Sequence, residues 1–224
     1  MQLQEKKALI AYLSQFATPA RRDRIESVLN RRTRYLTLVL EDIYQTHNAS
    51  AVLRNCDCFG IQDIHIVENL KEFTLNKDVS VGSERWLSVY RYRDENTNNT
   101  QHCLEKLKSE GYKIIATSPH AEKPLDELSI DEKLALLFGS EVNGLSDYAL
   151  QNADEVVTIP IQGFSESFNI SVSAALCLYH LTTRLRKTKK NWPLTEAEKI
   201  ELRLNWLRKS VRHSENLEQK FFQN

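Results

Sequence analysis

The chain has 224 residues, 41% hydrophobic and 27% charged, and its 30 Lys+Arg balance its 30 Asp+Glu. That length suits one large α/β domain or one domain with helical extensions. No apolar run approaches the ~20 residues of a bilayer-spanning helix, and Met1–Lys7 lacks a signal-peptide pattern, so a cytoplasmic protein with no membrane partner is expected.

Taken in chain order, Leu9, Ile10, Tyr12, Leu13 and Phe16 recur at helical spacing and predict a helix over 3–16. Thr18-Pro19 has the form of an N-cap with proline at the first helical position. The second helix runs to about Asn30 and carries Arg21, Arg22 and Arg24, with Arg31 and Arg32 after it. Tyr35–Leu40 reads as a strand, Asn48–Phe59 as a helix closed by Gly60, and Asp63–Glu68 as the next strand. Residues 69–99 give no clear period, although Trp86, Val89 and Tyr90 imply some structure.

A helix over about 100–110 ends at Gly111, and strands follow at Lys113–Thr117 and Leu134–Phe138. A short helix after Gly144 leads to the strand Glu155–Ile159. A long helix from near Ser167 continues into the basic run that holds Arg186 and Lys187, Trp192-Pro193 breaks it, and a last basic helix with Trp206 begins after Leu194.

Apolar strands alternating with helices predict an α/β fold, a parallel sheet covered on both faces. Charge divides the chain. Residues 1–34 hold 8 Lys+Arg against 3 Asp+Glu, and residues 184–224 hold 11 against 5, which leaves the middle at −11. Three segments are expected: a basic helical extension over 1–34, the α/β domain over 35–184, and a second basic helical extension over 185–224. Basic ends of this kind suit a polyanion; solvated helices with surplus arginine are the alternative. Cys56, Cys58, Cys103 and Cys177 show no pairing framework, and no second Cys/His pair completes a metal site beside the C-x-C, so reduced thiols and no metal are expected.

Three segments carry candidate chemistry. Asn48-x-Ser-Ala-x-x-Arg54 places an amide near a helix start and an arginine six residues on, nearly two turns, on what reads as a similar face. Such an arginine suits a phosphate, or is a plain surface residue. Phe138-Gly139-x-Glu141-x-x-Gly144-Leu-Ser146 is a strand end followed by a glycine-bracketed loop. Its glycines permit close approach of a ligand, or mark an ordinary turn. It has neither the Gly-Lys-Ser/Thr of a P-loop nor a dinucleotide fingerprint. Ile159-Pro-Ile-x-Gly…Ser167-x-Asn169-x-Ser-Val-Ser-Ala-Ala is a strand, a polar loop and a helix entry, where Ser167 and Asn169 bind a ligand or simply cap.

In this order the three segments resemble the motifs of the SPOUT class of knotted methyltransferases, in its SpoU/TrmH family, over roughly residues 18–185. Within it the chain looks most like the bacterial enzymes that methylate the guanosine 18 ribose of tRNA. The resemblance implies a C-terminal trefoil knot, a homodimer with the site built partly across the interface, and S-adenosylmethionine as methyl donor. It implies donor contacts from Thr117, Gly139, Ile159 and Phe168, the last usually leucine in the family. Asn48, Arg54, Glu141, Ser167 and Asn169 match its catalytic and substrate-handling positions, and Arg21, Arg22, Arg24, Arg31, Arg186 and Lys187 would contact tRNA. The same chemistry on ribosomal RNA, and an RNA-binding protein that keeps the fold without methyl transfer, are the rival expectations.

Overall fold

A computed structural model describes residues 1–223. Residues 1–33 and 193–223 cluster as one compact unit and residues 34–192 as another. The first opens with helices α1 (Leu3–Ser14) and α2 (Pro19–Leu29). Thr18 caps α2 by accepting the Arg21 N–H at 3.2 Å, with Pro19 at the first helical position.

The larger unit runs β1 (Leu36–Glu41), α3 (Thr46–Phe59), β2 (Asp63–Val67), α4 (Lys77–Ser80), β3 (Ser88–Tyr92), α5 (Asn99–Ser109), β4 (Tyr112–Thr117), β5 (Lys133–Phe138), α6 (Asp147–Asn152), β6 (Glu155–Val157) and α7 (Ile170–Arg186). Its six strands are all parallel, in the order β3-β2-β1-β5-β4-β6. Alternation along the strands builds two cores, one on each face. Leu36, Leu38, Leu40, Leu134 and Leu136 bury against α3 and α7, and Val39, Ala135 and Leu137 bury against α5 and α6. Burial on both faces explains why β1 and β5 read as continuous apolar runs. Gly60, at φ 80°, ends α3 in the left-handed conformation that glycine adopts without a Cβ clash.

The smaller unit closes with α8 (Glu196–Ser210) and α9 (Ser214–Gln223). Thr195 and Glu198 form a capping box at the start of α8. Three of the basic side chains at the chain ends pair with carboxylates of the same unit, which leaves the net surplus unchanged. Arg203 pairs with Glu26 at 2.7 Å, Arg208 with Glu218 at 2.7 Å, and Lys6 with Glu201. Arg32 is fully buried, 5.5 Å from the Trp206 ring, so it leaves the arginine surface the sequence suggested. Arg21, Arg22, Arg24 and Arg31 are exposed. No helix among the described residues is long and apolar enough to cross a membrane.

The structure differs from the sequence reading at several points. α3 begins at Thr46 with Gln45 at its N-cap, so Asn48 lies within the first turn and not at the cap. The long helix begins at Ile170, with Asn169 as its cap and Ser167 in the preceding loop. Residues 69–99 contain α4, a 3₁₀ turn at Ser83–Arg85 and the edge strand β3. α9 was not anticipated.

Candidate active site

Strand order changes direction between β1 and β5, and the loops beyond the carboxyl ends of those strands frame a crevice where α/β sheets bind ligands. A cavity of about 600 Å³ opens there, lined in part by Thr117, Phe138, Gly139, Ile159, Phe168 and Asn169. The volume lies within the roughly 300–1,000 Å³ range of cofactor pockets. The four predicted donor contacts, Thr117, Gly139, Ile159 and Phe168, therefore meet in one place. Thr117 is held by its hydroxyl, which donates to the Leu137 carbonyl at 2.7 Å.

Gly139 has a strict local reason. A Cβ on it would fall 2.1 Å from the Gly144 carbonyl carbon and the Leu145 nitrogen. The loop returns on itself there, with Ser140 N–H donating to Gly144 O at 2.9 Å and Gly144 N–H to Ser140 O at 3.0 Å. The close approach that requires a glycine is thus made by the loop's own backbone. Gly144, at φ 69°, supplies the left-handed residue of that turn.

At the polar side of the cavity, three segments distant in sequence share one hydrogen-bond network. Glu141 accepts the backbone N–H groups of Tyr44 at 3.1 Å and Gln45 at 3.3 Å. The α3 N-terminus has no side-chain cap of its own from Gln45. A carboxylate from the β5 loop caps it instead, opposite the positive end of the helix dipole. The Asn48 amide nitrogen donates to Glu141 Oε1 at 2.8 Å and to Gln45 Oε1 at 3.0 Å. Asn48 Oδ1 in turn accepts from Asn169 Nδ2 at 3.0 Å. Asn169 Oδ1 caps α7 by accepting the Ser171 N–H at 2.9 Å. Asn169 therefore caps α7, one of the two roles the sequence left open, and its Nδ2 joins that cap to Asn48. Asn48, 3% exposed and fully bonded, fixes two helix N-termini against each other.

Ser167 also lines the cavity and is exposed. Arg54 is exposed on α3, does not line the cavity and lies outside the network. Six residues at ~100° each fall about 120° short of two full turns, so Arg54 does not share the Asn48 face. The residue that returns to that face is Asn55, whose amide donates to the Ser171 carbonyl at 2.8 Å. Sequence reasoning missed Asn55, although a spacing of seven could have found it. It also missed Gln45 and Cys177, both in the cavity lining. Burial pushes the Cys177 thiol up to about 12, so it is a neutral wall and not a nucleophile. Arg186 donates to the Phe59 carbonyl at 2.7 Å at the end of α3, while Lys187 is exposed. No group of three or more His, Cys, Asp or Glu able to hold a metal occurs among the described residues.

The arrangement combines a half-open pocket at a sheet switch point with a hydrogen-bonded amide–carboxylate cluster at its rim. It can hold a small organic donor and align a polar acceptor, but it contains no activated nucleophile of its own. Comparison with known proteins agrees with that chemistry. The SpoU rRNA Methylase family profile matches residues 35–179. A Borreliella burgdorferi protein named tRNA (guanosine(18)-2′-O)-methyltransferase is 44% identical over 93% of this chain and 94% of its own length. A Thermus thermophilus protein of the same name is 34% identical over 86% of this chain and 98% of its own. The crystal structure of the A. aeolicus TrmH/SpoU tRNA modifying enzyme superposes with a TM-score of 0.75 at 26% identity, covering 86% of this chain and 98% of that one. With a profile match across well over half its length and relatives aligned nearly end to end, the chain belongs to the SpoU rRNA methylase family.

Proposed function

We propose that this chain is a tRNA (guanosine-2′-O-)-methyltransferase that transfers a methyl group from S-adenosylmethionine to the ribose of guanosine 18 in the tRNA D-loop. The observation that carries the reading is the Glu141–Asn48–Asn169 network, which joins all three sequence motifs at the mouth of a cofactor-sized cavity. The 44% identity to a tRNA-modifying relative over nearly the whole of both chains favours tRNA over ribosomal RNA as substrate.

The residues present fit the donor. Thr117, Gly139, Ile159 and Phe168 would hold it in a pocket that mixes apolar side chains with backbone polar groups at strand ends. When bound, S-adenosylmethionine supplies an electrophilic sulfonium methyl. Asn48, Glu141 and Asn169 keep the rim rigid, and Ser167 offers a free hydroxyl toward the acceptor ribose. A guanidinium stays protonated in proteins, so Arg54 clamps a substrate phosphate and orients the 2′-hydroxyl, whose proton leaves late or through water.

Arg54 lies off the cavity of its own chain, which supports a homodimer in which it completes the partner's site. Val172, Leu176 and Tyr179 form an exposed apolar stripe at i, i+4, i+7 on α7, suited to an isologous contact. The residues after β6 pair with the β4–β5 connection, Thr158 N–H donating to Lys123 O at 2.9 Å and Leu125 N–H to Thr158 O at 2.8 Å. That pairing supports the trefoil knot, formed where the 158–169 segment enters α7. Segments 1–34 and 185–224 act as basic extensions that flank the 35–184 catalytic domain in sequence, with Arg21, Arg22, Arg24, Arg31, Arg186 and Lys187 as phosphate contacts, and the enzyme works in the cytoplasm.

Single-turnover methylation with labelled donor tests the assignment. Arg54→Ala should lower the rate roughly 10²-fold or more, as expected for loss of a directional contact in the transition state. Near-wild-type turnover would remove Arg54 from the site.

A further inference from the structure

The β1–α3 and β2–α4 loops present a second pair of side chains just outside the cavity. Tyr44 is 39% exposed, and Lys71 Nζ lies 5.0 Å from its ring centroid. The ring is tied to the catalytic cluster through its own backbone, because the Tyr44 N–H donates to Glu141 Oε2 at 3.1 Å. The lysine is equally well anchored. Asp42, in the left-handed conformation at φ 50°, accepts the backbone N–H groups of Asn69, Leu70 and Lys71 at 2.9, 2.8 and 3.2 Å. Two more bonds fasten the same stretch to α3: the Thr46 and Thr74 hydroxyls at 2.8 Å, and the Asn76 N–H to Ser50 Oγ at 2.8 Å.

This construction has no evident role in packing. Tyr44 and Lys71 are exposed, and Lys71 forms no ion pair among the described residues. A positive-φ aspartate that spends one carboxylate oxygen on three N–H groups is strain held at a specific place, beside the site and not in the core. Its effect is to fix the backbones from which the Tyr44 ring and the Lys71 ammonium project, 5.0 Å apart.

We infer that Tyr44 and Lys71 form a nucleotide subsite, in which the tyrosine stacks on an unpaired base next to the target ribose and the lysine contacts an adjacent phosphate. This assignment rests on the reading of the chain as an RNA 2′-O-methyltransferase. Single-stranded and loop nucleotides are recognised by such aromatic platforms, backed by cations that meet the backbone. Neither residue lines the donor cavity, so the subsite should act on RNA and leave the donor alone.

The test uses the full-length chain, unmodified tRNA and two readouts: tRNA affinity over a salt series, and donor affinity by calorimetry. Tyr44→Ala should weaken tRNA binding roughly 5- to 100-fold, the range for loss of one base stack. Tyr44→Phe, which keeps the aromatic face, should stay within about 2-fold of wild type. Lys71→Gln should lower the log–log salt slope by about 1. Donor affinity should not change in any of the three. Wild-type tRNA affinity in Tyr44→Ala, or an equal loss of donor and tRNA affinity, would overturn the subsite while the wild-type methyl transfer still stood. A wild-type chain that methylates no RNA would instead overturn the functional reading on which the subsite rests.

Discussion

Asn48 donates to Glu141 across 2.8 Å, although the two residues lie 93 positions apart. The same carboxylate caps α3, and the other end of the Asn48 amide holds the cap of α7. The donor in the middle must therefore be uncharged and bifunctional. Asn48→Ala removes hydrogen bonds to partners that keep some access to water and should cost about 0.5–1.5 kcal/mol of stability, along with a large loss of methyl transfer. Asn48→Asp is nearly the same shape but sets two carboxylates face to face. At neutral pH it should be the more damaging variant, with activity recovering as pH falls and one of the pair takes up a proton. Activity–pH profiles of the two variants decide the matter. A flat profile for Asn48→Asp would contradict the role given to this contact.

The glycine pair in the β5 loop separates space from backbone conformation. Gly139→Ala would force a methyl to within 2.1 Å of backbone atoms that cannot rotate away, so the loop must move. Donor binding should be lost. At Gly144 a Cβ meets nothing within 4 Å, and only the positive φ opposes it, at about 1–2 kcal/mol. Gly144→Ala should keep most of its donor affinity with a lowered melting temperature. Calorimetry and thermal unfolding of both variants check this.

His65 makes stability depend on pH. It is buried on β2, its Nδ1 2.9 Å from the Tyr92 hydroxyl, and burial, with Lys106 nearby, lowers its pKa to about 3. The unfolded chain then binds a proton that the folded chain refuses between the ordinary histidine value near 6.5 and about 3. The stability due to His65 is fully present above about pH 6.5 and is lost as pH falls through that window, with a slope of up to ~1.4 kcal/mol per pH unit. Denaturant unfolding from pH 7 to pH 4 should show the loss, and His65→Gln should flatten it.

Thiol reactivity should sort by burial. Cys58 is exposed, while Cys56, Cys103 and Cys177 are buried. Burial raises both Cys103 and Cys177 to about 12. A disulfide-exchange reagent at pH 8 should label one cysteine quickly in the native protein and the other three only on unfolding. Fast native labelling of Cys177 would mean that the cavity wall opens.

The basic surface makes a salt-dependence prediction. Arg21, Arg22 and Arg24 are exposed along α2. Changing all three to Gln should lower the log–log salt slope of tRNA binding by up to about 3. Deleting residues 1–17 should weaken binding less. An unchanged slope in the triple variant, from filter binding over a salt series, would exclude α2 as a phosphate contact.

What the sequence made legible was whatever is local or apolar. The buried strands β1, β4 and β5 announce themselves because both their faces are covered. The edge strand β3 does not, since its burial is partial and Arg91 points toward Glu68 and not into a core. α9 buries no residue, and its amphipathic pattern spans only ten residues. The three motifs did converge, but their couplings were invisible. Nothing local to Glu141 says that it caps a helix 97 residues away. Arg54 shows a different limit: a spacing of six is nearly two turns but ends about 120° short, and the residue that returns to the Asn48 face is Asn55. Arg32 looked like another surface cation until Trp206 enclosed it.

The most direct measurement is methyl transfer from labelled S-adenosylmethionine to unmodified tRNA, with the product nucleoside mapped. The predicted result is a single 2′-O-methylguanosine at position 18 of the D-loop, absent when that guanosine carries a 2′-deoxyribose. Label at another position, or transfer to ribosomal RNA with none to tRNA, would contradict the account.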